Sequence, residues 1–186
     1  MHRIVVITGT PGSGKTTISR MVAKAVSGSV LVSANEIVKK KHVYLYKDKD
    51  GALVVDMRKL KVELGRCIKA NKRGTVIIEG HLLCDIKLNG AIAIVVREHL
   101  ATIKGRLEKR RYSIGKIRDN LVSEATDYCG IHSRKNYAKV FEVMNGTSAA
   151  KDVVRIVNGG GAGFAKSVDI LQELMPIIKK DGRFAI

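Results

Sequence analysis

The stretch Gly9-Thr10-Pro11-Gly12-Ser13-Gly14-Lys15-Thr16-Thr17 decides the reading of this chain. Its spacing, Gly9-x4-Gly14-Lys15-Thr16, is that of a phosphate-binding loop. The context agrees, with a β-branched run from Ile4 to Thr8 before it and helical periodicity after it. Glycines let successive backbone N–H groups turn inward and form a nest for anions. A helix starting near Lys15 adds its partial positive N-terminus. Lys15 is expected to reach the β- and γ-phosphates of ATP, and the Thr16 hydroxyl to ligate Mg2+. Gly12, Ser13, Gly14, Lys15, Thr16 and Thr17 are therefore the candidate nucleotide-binding residues.

Outward from this loop, apolar runs bounded by turn signals alternate with helical periodicity, the pattern of a parallel-sheet α/β domain. Ile18, Met21, Val22 and Ala25 recur at helical spacing and stop near Gly28. Val30–Val32, Val76–Ile78, Ala91–Val96 and Val140–Met144 read as further strands. Ser33-Ala34-Asn35-Glu36 reads as a capping box, and Asp56 as the N-cap of a helix whose inner face holds Met57, Leu60, Leu64 and Cys67. Leu100, Ile103 and Leu107 mark one later helix, Ile117, Leu121 and Ala125 a longer one, and Ser148 to Val157 another. Two polar stretches break the rhythm. Residues 39–51 read as mixed turns, and a second excursion opens with Lys109-Arg110-Arg111 and carries Gly115 in its middle. Asn158 to Gly163 reads as a flexible hinge, followed by an apolar stripe of Val168, Leu171, Leu174, Met175 and Ile178 on a terminal helix.

At 186 residues the chain suits one domain. No apolar run reaches the roughly 18 residues of a membrane span, and the N-terminus leads straight into the loop without a cleavage site, so a cytosolic (cytoplasmic) protein is expected. Cys67, Cys84 and Cys129 are scattered and odd in number, which argues against a disulfide framework or a cysteine zinc site and predicts buried, reduced thiols. Charge is the informative bulk quantity: 34 Lys and Arg against 17 Asp and Glu leave a formal +17. A nucleotide pocket needs only a few cations. The surplus points to a polyanionic partner, RNA or ribonucleoprotein.

Phosphate-loop enzymes use a second-strand acid to hold the magnesium shell. Glu79 ends the strand Val76–Ile78 at the edge where open α/β sheets place ligands, and is preferred over its rivals Asp56 and Asp85. His81, two residues on, is a candidate for orienting water or relaying a proton. In a monophosphate kinase, donor and acceptor must be closed away from water, which calls for mobile inserts. The stretches 33–56 and 109–119 stand where such inserts belong. Among Arg106, Lys109, Arg110, Arg111, Lys116 and Arg118, Arg110 is the leading candidate to neutralise charge on the transferred phosphoryl group. A solvated basic helix or an RNA-facing patch are the other readings of that cluster.

Thr8 to Thr17, Glu79-Gly80-His81, Arg106-Leu107-Glu108-x-Arg110-x-Tyr112 and Asp119-Asn120 together resemble the ribosome-assembly, or type-six, branch of the adenylate kinases, archaeal members above all. The resemblance covers about residues 1–157 and is weaker beyond. It implies an adenylate-kinase-like phosphate-loop fold with a five-stranded parallel core sheet flanked by helices. It also implies a kinase domain over 1–157 with a nucleoside-monophosphate insert about 33–56 and a lid about 109–119, then a Gly-rich hinge at 158–163 and a docking helix over 164–186. The activities implied are ATP-dependent phosphorylation of AMP or a related monophosphate, and ATP hydrolysis tied to the acid-x-His turn, with Lys15, Glu79, His81 and Arg110 catalytic and Thr16 and Glu79 at the metal. The implied role is maturation of the small ribosomal subunit through small-subunit ribosomal protein eleven, with rRNA or a pre-ribosomal particle nearby. Alternatives are an assembly factor with little kinase activity, or a kinase for another acceptor such as CMP. Two departures stand out: the turn acid is Glu79 where the family has Asp, and the first insert is unusually rich in lysine.

Overall fold

The computed structural model describes residues 2–49, 51–160 and 170–180. Five parallel strands form the central sheet: β1 (Arg3–Thr8), β2 (Ser29–Ser33), β5 (Thr75–Glu79), β6 (Ala91–Arg97) and β7 (Val140–Met144), in the order β2-β5-β1-β6-β7. The register sets Ile7 beside Glu79 on one side and Ile94 on the other, so β1 is the middle strand. Helical layers bury it on both faces, which is why it reads as an unbroken β-branched run.

The alternation of side chains along the strands feeds two cores. Val5, Ile7, Ile77, Ile94 and Val96 face helices α1 (Lys15–Ala25) and α7 (Ala149–Val157), where Ile18, Val22 and Val153 meet them. Val6, Val76, Ile78, Ala93 and Val95 face the opposite layer. That layer holds α2 (Ala34–Lys40) and α3 (Met57–Ala70), packed through Val38, Leu60 and Leu64. A third cluster joins α4 (Leu100–Lys109) to α5 (Ile114–Ala125) through Leu100, Ile103, Leu107, Ile117 and Leu121. Each fully buried Leu or Ile contributes roughly 1.5–3 kcal/mol of transfer free energy, so these three clusters carry the fold.

Several expectations need correction. The first polar stretch is not a run of mixed turns: strands β3 (Tyr44–Lys47) and β4 (Leu53–Val55) pair antiparallel within it. Tyr44, Leu53 and Val55 pack on the core from this hairpin, and charged residues around them hid the alternation. Gly115 lies in the first turn of α5, and only residues 110–113 separate α4 from α5, because Ser113 caps α5 by accepting from Lys116 N. Met21 is exposed on α1, and Cys67 is half-buried while Cys84 and Cys129 are buried; all three thiols are free. A 3₁₀ turn at His81–Asp85 and helix α6 (Tyr128–Asn136) had no counterpart in the sequence reading, α6 because its pattern is almost without amphipathic bias.

After α7 the chain bends at Gly159, and 161–169 lie outside the described residues, with half of the expected hinge (161–163) and Val168 of the expected stripe. A short 3₁₀ turn at Leu171–Glu173 leads into α8 (Leu174–Lys180). Here the inward residues are Ile170, Leu174 and Ile177, packed on α4 and α5, whereas Leu171 and Met175 face solvent. Glu173 fixes this segment by accepting from the backbone N–H of Leu100 at 2.8 Å, capping α4, and by meeting His99 Nδ1 at 2.6 Å. Among the described residues no helix is long and apolar enough to cross a membrane.

Candidate functional site

Strand β1 delivers the chain to the loop at Gly9, whose φ of 140° and position against the Val96 carbonyl leave no room for a Cβ. Gly12 and Gly14 also hold positive φ, 94° and 93°, which turns the loop back on itself and lets α1 start at Lys15. The loop is held from behind. Asn145 Nδ2 would stand 2.4 Å from a Cβ on Gly14. It donates to Glu98 Oε2 at 2.8 Å, and the same oxygen accepts from Arg106 Nη1 at 2.8 Å. Arg106 in turn donates to the Gly12 carbonyl at 2.7 Å.

Inside the loop, Lys15 is buried, with Nζ 3.4 Å from the Thr10 carbonyl. Burial holds its pKa below the ordinary value; Glu79 opposes this and Arg110 adds to it. The Thr16 hydroxyl donates to Glu79 Oε2 at 3.0 Å, while Ser33 Oγ donates to Oε1 at 2.5 Å. Glu79 is buried at the end of β5, beside Ser33 at the end of β2. Ser13 Oγ is fully buried and, among the described residues, has no hydrogen-bond partner. Thr17 is exposed on the outside of the first turn of α1, away from the cavity described next.

A cavity of about 990 Å³ opens over this loop. Lys15, Thr16, His81 and Arg110 all line it, so the structure brings together four residues singled out from sequence. Lys39, Leu53 and Val55 border it from the first excursion, and Tyr112 and Lys116 from the second. Lys116 Nζ lies 3.4 Å from Asp48 Oδ2, joining the two excursions. Burial, reinforced by the charge of Lys15, lowers the His81 pKa to about 4, with Asp85 opposing. The imidazole is therefore neutral near pH 7. The rival acids have partners of their own, although Asp85 also lines the cavity. Asp56 caps α3 through the N–H groups of Arg58 and Lys59, and Asp85 Oδ1 meets His132 Nδ1 at 2.6 Å and the Tyr128 hydroxyl at 3.2 Å.

Sequence reading missed the buried ion network behind the loop. Thr10 Oγ1 donates to Glu124 Oε2, and Glu124 Oε1 pairs with Arg97 Nε at 3.0 Å. Arg97 also reaches Asp127 at 2.7 Å and Glu142 at 3.2 Å, and both acids pair with Arg134. The signal was available: Glu124 falls on the inner face of a helix set by Ile117, Leu121 and Ala125, where an acid implies a buried partner.

The residues fit a bound nucleotide with Mg2+. The N-terminus of the 11-residue helix α1 and Lys15, which lines the cavity, suit phosphate oxygens, whereas Gly12, Ser13 and Gly14 lie behind the lining and the Ser13 N–H donates to the Thr10 carbonyl at 3.0 Å. Thr16 and Glu79 offer oxygen ligands, and among the described residues no cluster of three His, Cys, Asp or Glu competes as a metal site. A hard cation taking its remaining ligands from phosphate and water matches that set.

Comparison with known proteins agrees. The family described as an AAA domain matches residues 5–127. A Methanococcus maripaludis protein named "Putative adenylate kinase" is 35% identical over 162 residues, covering 83% of this chain and 84% of its own. A protein of the same name from Methanocaldococcus jannaschii is 36% identical, covering 83% and 81%; one from Pyrococcus furiosus is 31% identical, covering 96% and 99%. The chain belongs to this archaeal adenylate kinase family. Among solved structures, Acinetobacter baumannii shikimate kinase superposes with a TM-score of 0.58 at 15% identity, covering 88% of this chain and 97% of that one. A Thermus thermophilus protein gives 0.58 at 17% identity, covering 88% and 100%. At such identities these two neighbours attest the fold: a phosphate-loop α/β sheet flanked by helices.

Proposed function

We propose that this adenylate kinase homologue transfers the γ-phosphoryl group of ATP to AMP or a related nucleoside monophosphate. The observation that carries the reading is one cavity lined by Lys15, Thr16 and Arg110, with Glu79 fixed directly behind Thr16. At about 990 Å³ it lies at the upper end of single-ligand pockets, which supports room for both donor and acceptor.

In this reading the loop amides of Gly12, Gly14 and Lys15 cradle the donor phosphates, and Lys15 places its charge on the β- and γ-oxygens. Thr16 and Glu79 would hold Mg2+, which when bound neutralises phosphate charge during transfer. An acceptor phosphate oxygen attacks the γ-phosphorus as its bond to the β–γ bridging oxygen breaks, leaving ADP on each side. Arg110, at the C-terminal cap of α4, supplies a further cation to that charge. Residues 33–56 act as the monophosphate insert and 109–119 as the lid; both border the cavity, and the Asp48–Lys116 pair joins them.

A specific observation favours a second activity. His81 stands in the same cavity as a neutral imidazole, able to accept a proton from water, which supports ATP hydrolysis. With the formal +17, it supports the assembly role in the cytoplasm implied by the ribosome-assembly resemblance, with small-subunit ribosomal protein eleven and rRNA as partners. The test is ADP formation from ATP with and without AMP. Strong acceleration by AMP, with two ADP per ATP consumed, establishes the kinase. Slow phosphate release indifferent to AMP establishes the hydrolase, and Lys15→Met abolishes either. Undiminished turnover in that variant would overturn both readings.

A further inference from the structure

The surplus positive charge is not spread evenly. Between residues 36 and 73 stand twelve Lys and Arg against five Asp and Glu, in 38 of the 186 residues. The other 148 hold 22 cations against 12 acids. All twelve cations of this segment are exposed. Three of them are in ion pairs, Lys40 with Glu36, Lys59 with Asp56 and Arg66 with Glu63. No ion pair joins Arg58, Lys61 or Lys69 to another described residue.

Helix α3 gathers three of these charges on one side. At about 100° per residue, helical spacing puts Arg58, Lys61, Val62 and Lys69 in one sector of α3, opposite the buried Leu60 and Leu64. Val62 in that sector is 54% exposed, and Gly65 beside it leaves open space above the helix. The hairpin preceding α3 presents Leu45 and Tyr46, 63% and 59% exposed, between the Lys39-Lys40-Lys41 run and Lys47. Large apolar side chains at that exposure, flanked in sequence by exposed cations, make poor solvent-facing surface and good nucleic-acid surface. Cations neutralise phosphates with release of counterions, and a tyrosine ring stacks on an unpaired base.

We infer that the outer surface of the β3–β4 hairpin and α3 is a docking site for single-stranded RNA, with Arg58, Lys61 and Lys69 on phosphates and Tyr46 against a base. Charge complementarity selects the occupant, and the exposed ring favours RNA over an acidic protein, which offers no base to stack. The inner side of the same segment borders the nucleotide cavity through Lys39, Leu53 and Val55, so RNA and nucleotide would meet opposite sides of one insert. The inference deepens the assembly reading and rests on it only for which RNA is met.

The experiment is fluorescence anisotropy with the full chain and a labelled single-stranded RNA of about 16 nucleotides, the upper end of a single site. Affinity is measured between about 50 and 200 mM salt. The wild-type protein should bind with steep salt dependence. The triple variant Arg58→Gln, Lys61→Gln, Lys69→Gln should bind at least tenfold more weakly and show a log–log salt slope shallower by about 2, at roughly 0.7 per lost phosphate contact. Tyr46→Ala should lose about fivefold or more with an unchanged slope. A control triple of equal charge, Lys24→Gln, Lys135→Gln, Lys139→Gln, on exposed positions elsewhere, should stay near wild type. AMP phosphorylation, measured on the same preparations, reports folding. A triple that phosphorylates AMP normally but has lost RNA supports the site. Equal loss in the two triples, or polyglutamate competing as well as RNA, overturns it. Absent AMP phosphorylation in wild type with RNA binding intact would sink the kinase reading and leave this surface standing.

Discussion

The Thr16 hydroxyl donates to Glu79 Oε2 at 3.0 Å across 63 positions of sequence. In that arrangement the Thr16 oxygen keeps lone pairs free toward the cavity, and the carboxylate is fixed on its other side by Ser33. Glu79→Gln keeps the shape and removes the charge. It is expected to lower ATP turnover by about 100-fold or more while leaving thermal stability nearly intact. A Mg2+ titration of ADP formation checks it, with a raised metal requirement as the signature. Ser33→Ala, which frees Glu79 to swing, should show a weaker version of the same effect.

Gly14 answers to two constraints, a φ of 93° and the amide of Asn145 at 2.4 Å from any added Cβ. Gly14→Ala should therefore lose nucleotide binding and about 1–3 kcal/mol of stability. Adding Asn145→Ala removes the collision but not the backbone strain. Partial recovery in a thermal melt and in nucleotide affinity is the expected result; full recovery would show that the turn itself tolerates a side chain.

His81 supplies the pH prediction. Its folded pKa, about 4, lies below the ordinary value of 6.5. Below pH 6.5 the unfolded chain takes up this proton before the folded one does, so stability is fully present above about pH 6.5 and declines as pH falls toward 4. His81→Phe should flatten that part of the stability–pH curve. Hydrolysis by the wild type should hold down to about pH 5, and His81→Ala should reduce hydrolysis about 100-fold while AMP phosphorylation falls far less.

Arg97 is 1% exposed and faces Glu124, Asp127 and Glu142. Removing its charge leaves the buried Glu124 carboxylate without its partner. Arg97→Met is expected to cost about 3–5 kcal/mol, a drop in Tm of roughly 10 °C for a chain of this size. Because Glu124 also holds Thr10, ATP affinity should fall as well. Differential scanning calorimetry and an ATP titration check the two effects separately.

Glu173 belongs to the terminal segment yet caps α4. Glu173→Ala should cost about 1 kcal/mol, measured by urea unfolding. A larger loss would mean that the whole segment undocks.

The central sheet and the loop were legible because their causes are local. A β-branched run, glycines at fixed offsets and a helical stripe say the same thing, and Ser33 and Asp56 cap helices where short polar side chains precede apolar periodicity. Glu79 was singled out by strand-end logic, but its hydrogen bond with Thr16 was not read from the sequence. What escaped was set by distant partners. Tyr44, Leu53 and Val55 form a hairpin because the core below accepts them, not because the surrounding lysines favour strands. The Asn145 side chain meets Gly14 and Glu98, 131 and 47 residues away along the chain, and no window of sequence holds all three. Tyr128 and His132 stack at 3.9 Å over Asp85 in a helix whose own pattern is nearly featureless.

The pair between Asp48 and Lys116 ties two separate stretches of the chain together. One end belongs to the hairpin, the other to the first turns of α5, and the two elements border the same cavity. Both side chains are partly exposed, so ions in solution compete for them. The contact between the two stretches is therefore set by the surrounding electrolyte as well as by the protein, and weakens as salt rises.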